Sequence, residues 1–410
     1  MDLPELNAWL DTFTAKRHPE DNLHIMQILC GYFGHPESYC PCFHVAGSKG
    51  KGTITANIAA ILRAAGYKTG CYMSPHVSHF SERIGTGAGD FSKGTYDAAF
   101  RQLKLGIDDL ASRGQLQKDQ LTWTQLITIL AMLCFRIEKV NFAIYEVGIG
   151  GRLDTTNIIT PVCCCFGPIE LEHTKFLGNN LYDIAKEKAG ILKYKIPAIS
   201  APQNPEVKKA FAEIADSLSA KIEYIPQSIT DYQKQDAEIA KRAIKKYLPN
   251  LSDDLMDKAL QSVSLPGRFE IIKNIPSYSD IPYVLIDVAH TPNSITQVLK
   301  RIKAEKISGN LLFGCAADKN VEAIARAIKS SHSIKKIYLT RPGDFKKSDL
   351  TKMINTFQRV GRRHTAASPD FTTFIPEVLS ICNSTKTPLI VLGSFYLAGE
   401  VSCLILPYAT

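Results

Sequence analysis

No run of apolar residues in this chain reaches the roughly 18–20 positions that a membrane-spanning helix needs, so no membrane partner is expected. The opening stretch, MDLPELNAWLDTF, lacks the basic region and apolar core of a secretory leader; it is acidic and amphipathic. Together the two absences predict a cytoplasmic protein. Cysteine is not scarce, at eleven, but paired CxxC ligands are missing, so no zinc site is expected. Cys163, Cys164 and Cys165 stand in a row, and Cys40 and Cys42 flank a proline. With thiols kept reduced in the cytosol, the triple reads as small apolar side chains buried in a strand. There is also no stripe of basic residues with interleaved aromatics, so the net charge of +8 does not argue for nucleic acid. A mild positive balance suits small anionic substrates, and the lysines of AKRAIKKYL (240–248) read as a solvated helix face. The second half has no GxGxxG fingerprint, which argues against a dinucleotide there. No repeat or low-complexity segment occurs.

What is present is length and alternation. The 410 residues exceed what one ordinary core holds, which sets an expectation of two or three domains, and 45% apolar with 21% charged residues is the profile of a globular protein. FHVAG (43–47) reads as a buried strand, and TITANIAAILRAAG (53–66) follows at helical spacing with a glycine stop. YKTGCYMSPH is a second strand running into a loop, 121–138 a long apolar helix, NFAIYEVGIGG (141–151) a strand ending in glycines, and PVCCCFGPI (161–169) another strand. Helix DIAKEKAGIL (183–192) leads to strand IPAISAP (196–202). Strands alternating with helices predict a parallel sheet wound on both faces. After LPGRFE (265–270), four further strand candidates, YVLIDVA, GNLLFGCA, KKIYLTRP and TPLIVLGS, are separated by helices. The expected fold is therefore α/β: a P-loop-containing, doubly wound parallel sheet over 1–265, then a smaller Rossmann-like α/β domain over 266–410.

The chemistry starts at HVAGSKGKGT (44–53), between the first strand and its helix. Backbone N–H groups at a glycine-rich turn, aimed by a helix N-terminus, bind phosphate oxygens; a lysine adds charge over the outer phosphates, and a hydroxyl reaches Mg²⁺. Gly47, Ser48, Lys49, Gly50, Lys51, Gly52 and Thr53 supply these parts. The stretch departs from GxxxxGK[ST]: Gly52 separates Lys51 from Thr53, and Val45 stands where the first glycine is expected. SPHVSHFSERI (74–84) follows the second strand and could return a hydroxyl toward the phosphates. EVGIGGRLDTTN (146–157) puts Glu146 at a strand end, where a carboxylate beside a phosphate loop suits Mg²⁺, and LEHTKFLG (171–178) puts His173 shortly after the next strand. All three are expected at the carboxyl edge of one sheet.

This set of motifs, with EKAGILK, LPGRFE, DVAHTPNS, ADKN and VLGSFYLAG, resembles the folylpolyglutamate synthase/dihydrofolate synthase family of the Mur ligase superfamily, in family order across about residues 40 to 400. The resemblance implies an ATP-dependent amide ligation that adds L-glutamate to a folate, or to dihydropteroate, through an acyl phosphate. It implies Lys51 as the phosphate lysine, with Gly50, Gly52 and Thr53 beside it, and Ser74, Glu146 and His173 as magnesium ligands. Lys188 matches a lysine that the family carbamylates, a change that makes a metal ligand of it. Arg268, Asp287 and His290 match nucleotide contacts at the hinge and second domain, which is expected to help bind glutamate. ATP, two Mg²⁺ ions, a Lys188 carbamate and K⁺ are the implied cofactors. A monomer is expected, because two domains that open and close can enclose the site without a partner.

The sequence also departs from the family. Thr124 and Gln125 replace Phe-Glu, Glu172 replaces an Asp, and Thr291 replaces an Asn. Asp236 stands where a nucleotide-contacting Asn is usual, and the segment after Pro202 is short. These changes keep two other readings open: a Mur-type ligase acting on a non-folate carboxylate, or a nucleotide-binding protein without turnover.

Overall fold

The structure is a computed structural model that describes residues 3–14, 19–344 and 346–406. Met1 and Asp2 of the opening stretch, and the end of the second expected domain at 407–410, lie outside the described residues. The chain divides into two compact units, Met1–His76 with Phe80–Val263, and Val77–His79 with Ser264–Thr410.

The first unit carries β1 (Cys42–Ala46), β2 (Thr69–Tyr72), β3 (Ile84–Gly85), β4 (Phe142–Glu146), β5 (Cys163–Phe166), β6 (Ala198–Ser200) and β7 (Ile222–Tyr224). They form one sheet in the order β3-β2-β4-β1-β5-β6-β7. β3 pairs antiparallel with β2, and the other neighbours are parallel. Its helices are α1 (Pro4–Leu10), α2 (Asn22–Tyr32), α3 (Lys51–Ala64), α4 (Lys93–Ser112), α5 (Trp123–Ile137), α6 (Thr174–Leu177), α7 (Leu181–Ala189), α8 (Pro205–Ser217), α9 (Tyr232–Tyr247) and α10 (Asp253–Gln261).

Both sheet faces are covered, so the central strands read as continuous apolar runs rather than alternating ones. The two-residue pleat still sorts their side chains. Phe43, Val45, Phe142, Ile144, Cys163 and Cys165 face a core shared with Ile54, Ile58 and Ile61 of α3 and with Ile239 and Ala243 of α9. On the opposite face, Ala143 and Tyr145 pack with α4 and α5, while Ala46, Cys164 and Phe166 pack with α7 and α8. The cysteine triplet is thus a buried strand, and the eleven cysteines are all free thiols.

The second unit holds β8 (Glu270–Ile272), β9 (Val284–Ile286), β10 (Gly309–Phe313), β11 (Ile334–Thr340), β12 (Ala366–Ser368) and β13 (Leu389–Leu392), in the order β12-β11-β10-β13-β9-β8. Only the β8–β9 pair is antiparallel. Helices α11 (Pro292–Ala304), α12 (Val321–Lys329) and α13 (Leu350–Val360) cover one face, and α14 (Phe371–Ser384) and α15 (Phe395–Ile405) the other. Val77 packs into this unit beside Gly267 and Val288. The four strands expected after residue 265 are β9, β10, β11 and β13. Sequence pattern missed β3, β7, β8 and β12, strands of two or three residues that give too short a run for any periodicity. Among the described residues no helix is long and apolar enough to cross a membrane.

Candidate active site

β1 lies between β4 and β5, so the loops leaving these three strands meet at one carboxyl edge. The loop after β1 turns through Gly47 (φ 151°) and Gly50 (φ 78°), and Gly50 caps α3 with no side chain of its own. That leaves the first turn of α3 presenting backbone N–H groups and the positive end of its dipole. The loop's other wall is the turn after β5. Ser48 N donates to Pro168 O at 2.9 Å, Ser48 Oγ donates to Glu170 O at 3.1 Å, and Lys49 pairs with Glu170 at 3.8 Å.

Within this cradle Lys51 Nζ donates to Gly47 O at 3.0 Å. Lys188 of α7 reaches the same carbonyl, also at 3.0 Å, and donates to Glu172 Oε1 at 2.8 Å. Lys188 is 2% exposed. Burial, then the charge of Lys51, draws its ammonium down to about 8, against the opposing pull of Glu172. Burial alone would raise the Glu172 carboxyl; Lys188, Lys51 and His173 outweigh it and hold it below its ordinary value. The Glu that replaces the family's Asp is therefore the counter-charge of the buried lysine. Glu172 faces both lysines, and Asp154 adds a more distant negative charge at Lys188.

Glu146 shares the pleat face of Phe142 and Ile144, the face that α3 covers. At the end of β4 its carboxylate consequently meets the start of that helix: a Cβ placed on Gly52 would lie 3.8 Å from Glu146 Oε2. The same oxygen accepts from Ser74 N at 3.0 Å, and Glu146 is buried. His173 adopts φ 47° at the start of α6 and stands beside Glu172, exposed. Thr53 lies in the first turn of α3. Asp236, in α9, is buried with its carboxylate against Gly50, where a Cβ would sit 3.0 Å from the carboxylate carbon. The structure thus brings together Gly47–Thr53, Lys188, Glu172, Glu146, Ser74 and Asp236 in one unit.

In the second unit Asp287, at the end of β9, accepts from Phe269 N and Ala289 N, both at 2.8 Å, while burial raises its carboxyl above the usual value. The Arg268 guanidinium lies 5.2 Å from the ring of Phe395, and the His290 ring lies 6.1 Å from that ring. His290 Nδ1 is 2.9 Å from Val288 O. Phe395 was not given a role of its own in the sequence, where it lies beside Tyr396 within VLGSFYLAG.

Two further departures have local explanations. Gln125 completes the capping box of α5: its Oε1 accepts from Thr122 N at 2.8 Å, and its Nε2 donates to Asn22 Oδ1 at 3.2 Å. Thr291 caps α11, accepting from Ser294 N. Both side chains satisfy helix-end groups that would otherwise lack partners.

A nucleotide-type loop on a doubly wound sheet, followed by a second α/β unit, is the architecture of a Mur-type ligase. Residues 267–395 match the family described as Mur ligase, glutamate ligase domain. The whole chain is similar to the solved Mycobacterium tuberculosis folylpolyglutamate synthase complexed with ADP (TM-score 0.82, 22% identity, 99% of this chain and 98% of that one), a likeness of fold. It is 30% identical to the dihydrofolate synthase/folylpolyglutamate synthase of Escherichia coli (strain K12) over 313 residues, 70% of each chain. It is 26% identical to that of Bacillus subtilis (strain 168) over 418 residues, 92% of this chain and 93% of the other. The chain belongs to the dihydrofolate synthase/folylpolyglutamate synthase family.

Proposed function

We propose that this protein uses ATP to join L-glutamate to the carboxylate of a folate, and in the same site to dihydropteroate. The observation that carries the reading is the convergence of Lys51 and Lys188 on Gly47 O, with Glu172 and Glu146 alongside, in a chain of this family. A carboxylate repels a nucleophile and is a poor electrophile. Attack of its oxygen on the γ-phosphorus of ATP forms an acyl phosphate and releases ADP. The amine of glutamate then attacks the acyl carbon, phosphate leaves, and the amine nitrogen gives up a proton. No side-chain nucleophile is required; the protein supplies position and compensating charge. In this reading the loop amides and Lys51 hold the phosphates, and Arg268, Asp287 and His290 hold the rest of the nucleotide. The second unit helps to seat glutamate.

Magnesium binds phosphates readily through one or two protein carboxylates plus water. Among the described residues no three His, Cys, Asp or Glu side chains converge as a metal-binding group, so an all-protein cage does not fit. A buried carboxylate facing the first turn of a phosphate-loop helix does fit a shared ion. Glu146, Ser74 and His173 would hold it, and it would supply charge neutralisation at the phosphates. The lowered Lys188 amine, at about 8, supports carbamylation, which needs the neutral amine. The adduct would place a negative charge beside Glu172, and a bound cation would supply the compensating charge.

The test is ADP release from Mg-ATP with L-glutamate, adding dihydropteroate or a reduced folate in turn. Release with both acceptors is expected. Release with neither, alongside release with another carboxylate, would assign the site to a different Mur-type ligation.

A further inference from the structure

Lys188 is useful only where α7 puts it, and α7 is a nine-residue helix. So short a helix has little intrinsic persistence, and its register must come from its ends. Its N-terminus is capped by Asn180, whose Oδ1 accepts from Asp183 N at 2.9 Å. At its C-terminus the carbonyls of Lys186, Lys188 and Ala189 accept from the N–H groups of Gly190, Ile191 and Leu192, while Glu187 O takes its partner from the stretch 151–157. Arg152 N donates to Glu187 O at 2.7 Å. Asn157 Nδ2 donates to Gly190 O at 3.0 Å and to Arg152 O at 2.9 Å. The backbones touch because Gly151 and Gly190 have no side chains. A Cβ on Gly151 would lie 2.8 Å from both Glu187 O and Lys188 O, and one on Gly190 would lie 2.9 Å from Arg152 N.

Asn157 is the buried centre of this contact. Its two amide hydrogens go to two different segments. Its own carbonyl and side-chain oxygens each accept from Lys193 Nζ at 2.9 Å, which fixes which way the amide faces. The stretch it holds is itself tied to the end of β4. Asp154 Oδ2 accepts from Gly148 N at 3.1 Å and from Ile149 N at 3.3 Å, in the turn directly after Glu146. One side therefore leads to Glu146 and the other to Lys188.

We infer that Asn157, oriented by Lys193, is a positioning residue that sets α7 in register against the turn after Glu146 and so places Lys188 at Gly47 and Glu172. The inference rests on the reading of Lys188 as a working residue of the ligation. Asn157→Ala removes both donor bonds. Asn157→Asp keeps the pairing with Lys193 but cannot donate to Gly190 or Arg152. Both variants are expected to lower kcat by at least about tenfold while KM for ATP stays within about twofold, the pattern of a misplaced group rather than a lost binding contact. Thermal stabilisation by Mg-ADP is expected to persist in both.

Lys188→Ala separates the two ideas. If Lys188→Ala keeps full activity, the reading of Lys188 falls. If Lys188→Ala is inactive while a folded Asn157→Ala retains kcat, the positioning role falls. Full kcat in Asn157→Asp alone would mean that the Lys193 pairing, not the two donor bonds, does the placing, and this also overturns the inference. Loss of Mg-ADP stabilisation together with kcat, or failure of both variants to fold, would make Asn157 a general structural residue and overturn it as well.

Discussion

His44 shows how a single buried group can make this fold sensitive to acid. It lies in β1, its Nε2 is 2.9 Å from Thr156 Oγ1, and that hydroxyl donates onward to Asp154 Oδ1 at 2.6 Å. The hydroxyl's one hydrogen is spent on Asp154, so the imidazole must be the donor at Nε2. Nδ1 is buried with no hydrogen-bond partner. Burial, then the charge of Lys193, lowers its pKa from 6.5 to about 3. The unfolded chain therefore takes up a proton below about pH 6.5 that the folded chain refuses until about pH 3. This group's contribution is intact above about 6.5 and falls, as pH drops through that window, by up to about 1.4 kcal/mol per pH unit. Urea unfolding at pH 7 and 5.5 should show that His44→Gln flattens the loss. Equal losses in the two proteins would show that His44 is not the sensor.

Among the elements, the start of α3 is tightly constrained. Gly50 combines φ 78° with the Asp236 carboxylate against its Cα. Gly50→Ala should cost about 1–2 kcal/mol for the left-handed backbone alone and should push the loop off Asp236. Steady-state kinetics should then show KM for ATP raised by roughly tenfold, since a small shift of the loop misplaces several phosphate donors at once. An unchanged KM would mean that the phosphates do not rest on this turn.

The same element shows what was legible in the sequence. Its glycines, its lysine and the apolar spacing of the helix behind it are local signals, and they located β1, the loop and α3. Glu146 at a strand end was legible for the same reason. The partnership of Glu172 with Lys188, the Asp236 carboxylate against Gly50 and the clamp at Asn157 were not. Each joins residues far apart in the chain through a side-chain contact that only the packed helices create. Gln125 looked like a lost acid, and in the fold it is a helix cap, a role that required knowing where α5 begins.

At the scale of the whole molecule there are two α/β units, the glycine-rich loop, Glu146 and Lys188 belonging to the first and Arg268, Asp287 and His290 to the second. On the proposed nucleotide binding, Mg-ADP at about a hundred times its dissociation constant should stabilise the protein by about 2.7 kcal/mol, visible as a raised thermal midpoint. Lys51→Ala should lose most of that shift without unfolding. A full shift in the variant would remove Lys51 from the nucleotide site.

The central claim is that ATP activates an acceptor carboxylate which glutamate then captures. The most direct measurement gives the protein a folate whose terminal carboxylate carries oxygen-18, with Mg-ATP and L-glutamate, and reads the masses of the folate and of the released phosphate. The account predicts a folate heavier by a glutamyl residue and phosphate carrying one labelled oxygen. Unlabelled phosphate released alongside a glutamylated folate would contradict it, because the carboxylate oxygen must leave with the phosphate whenever the acyl phosphate is the intermediate.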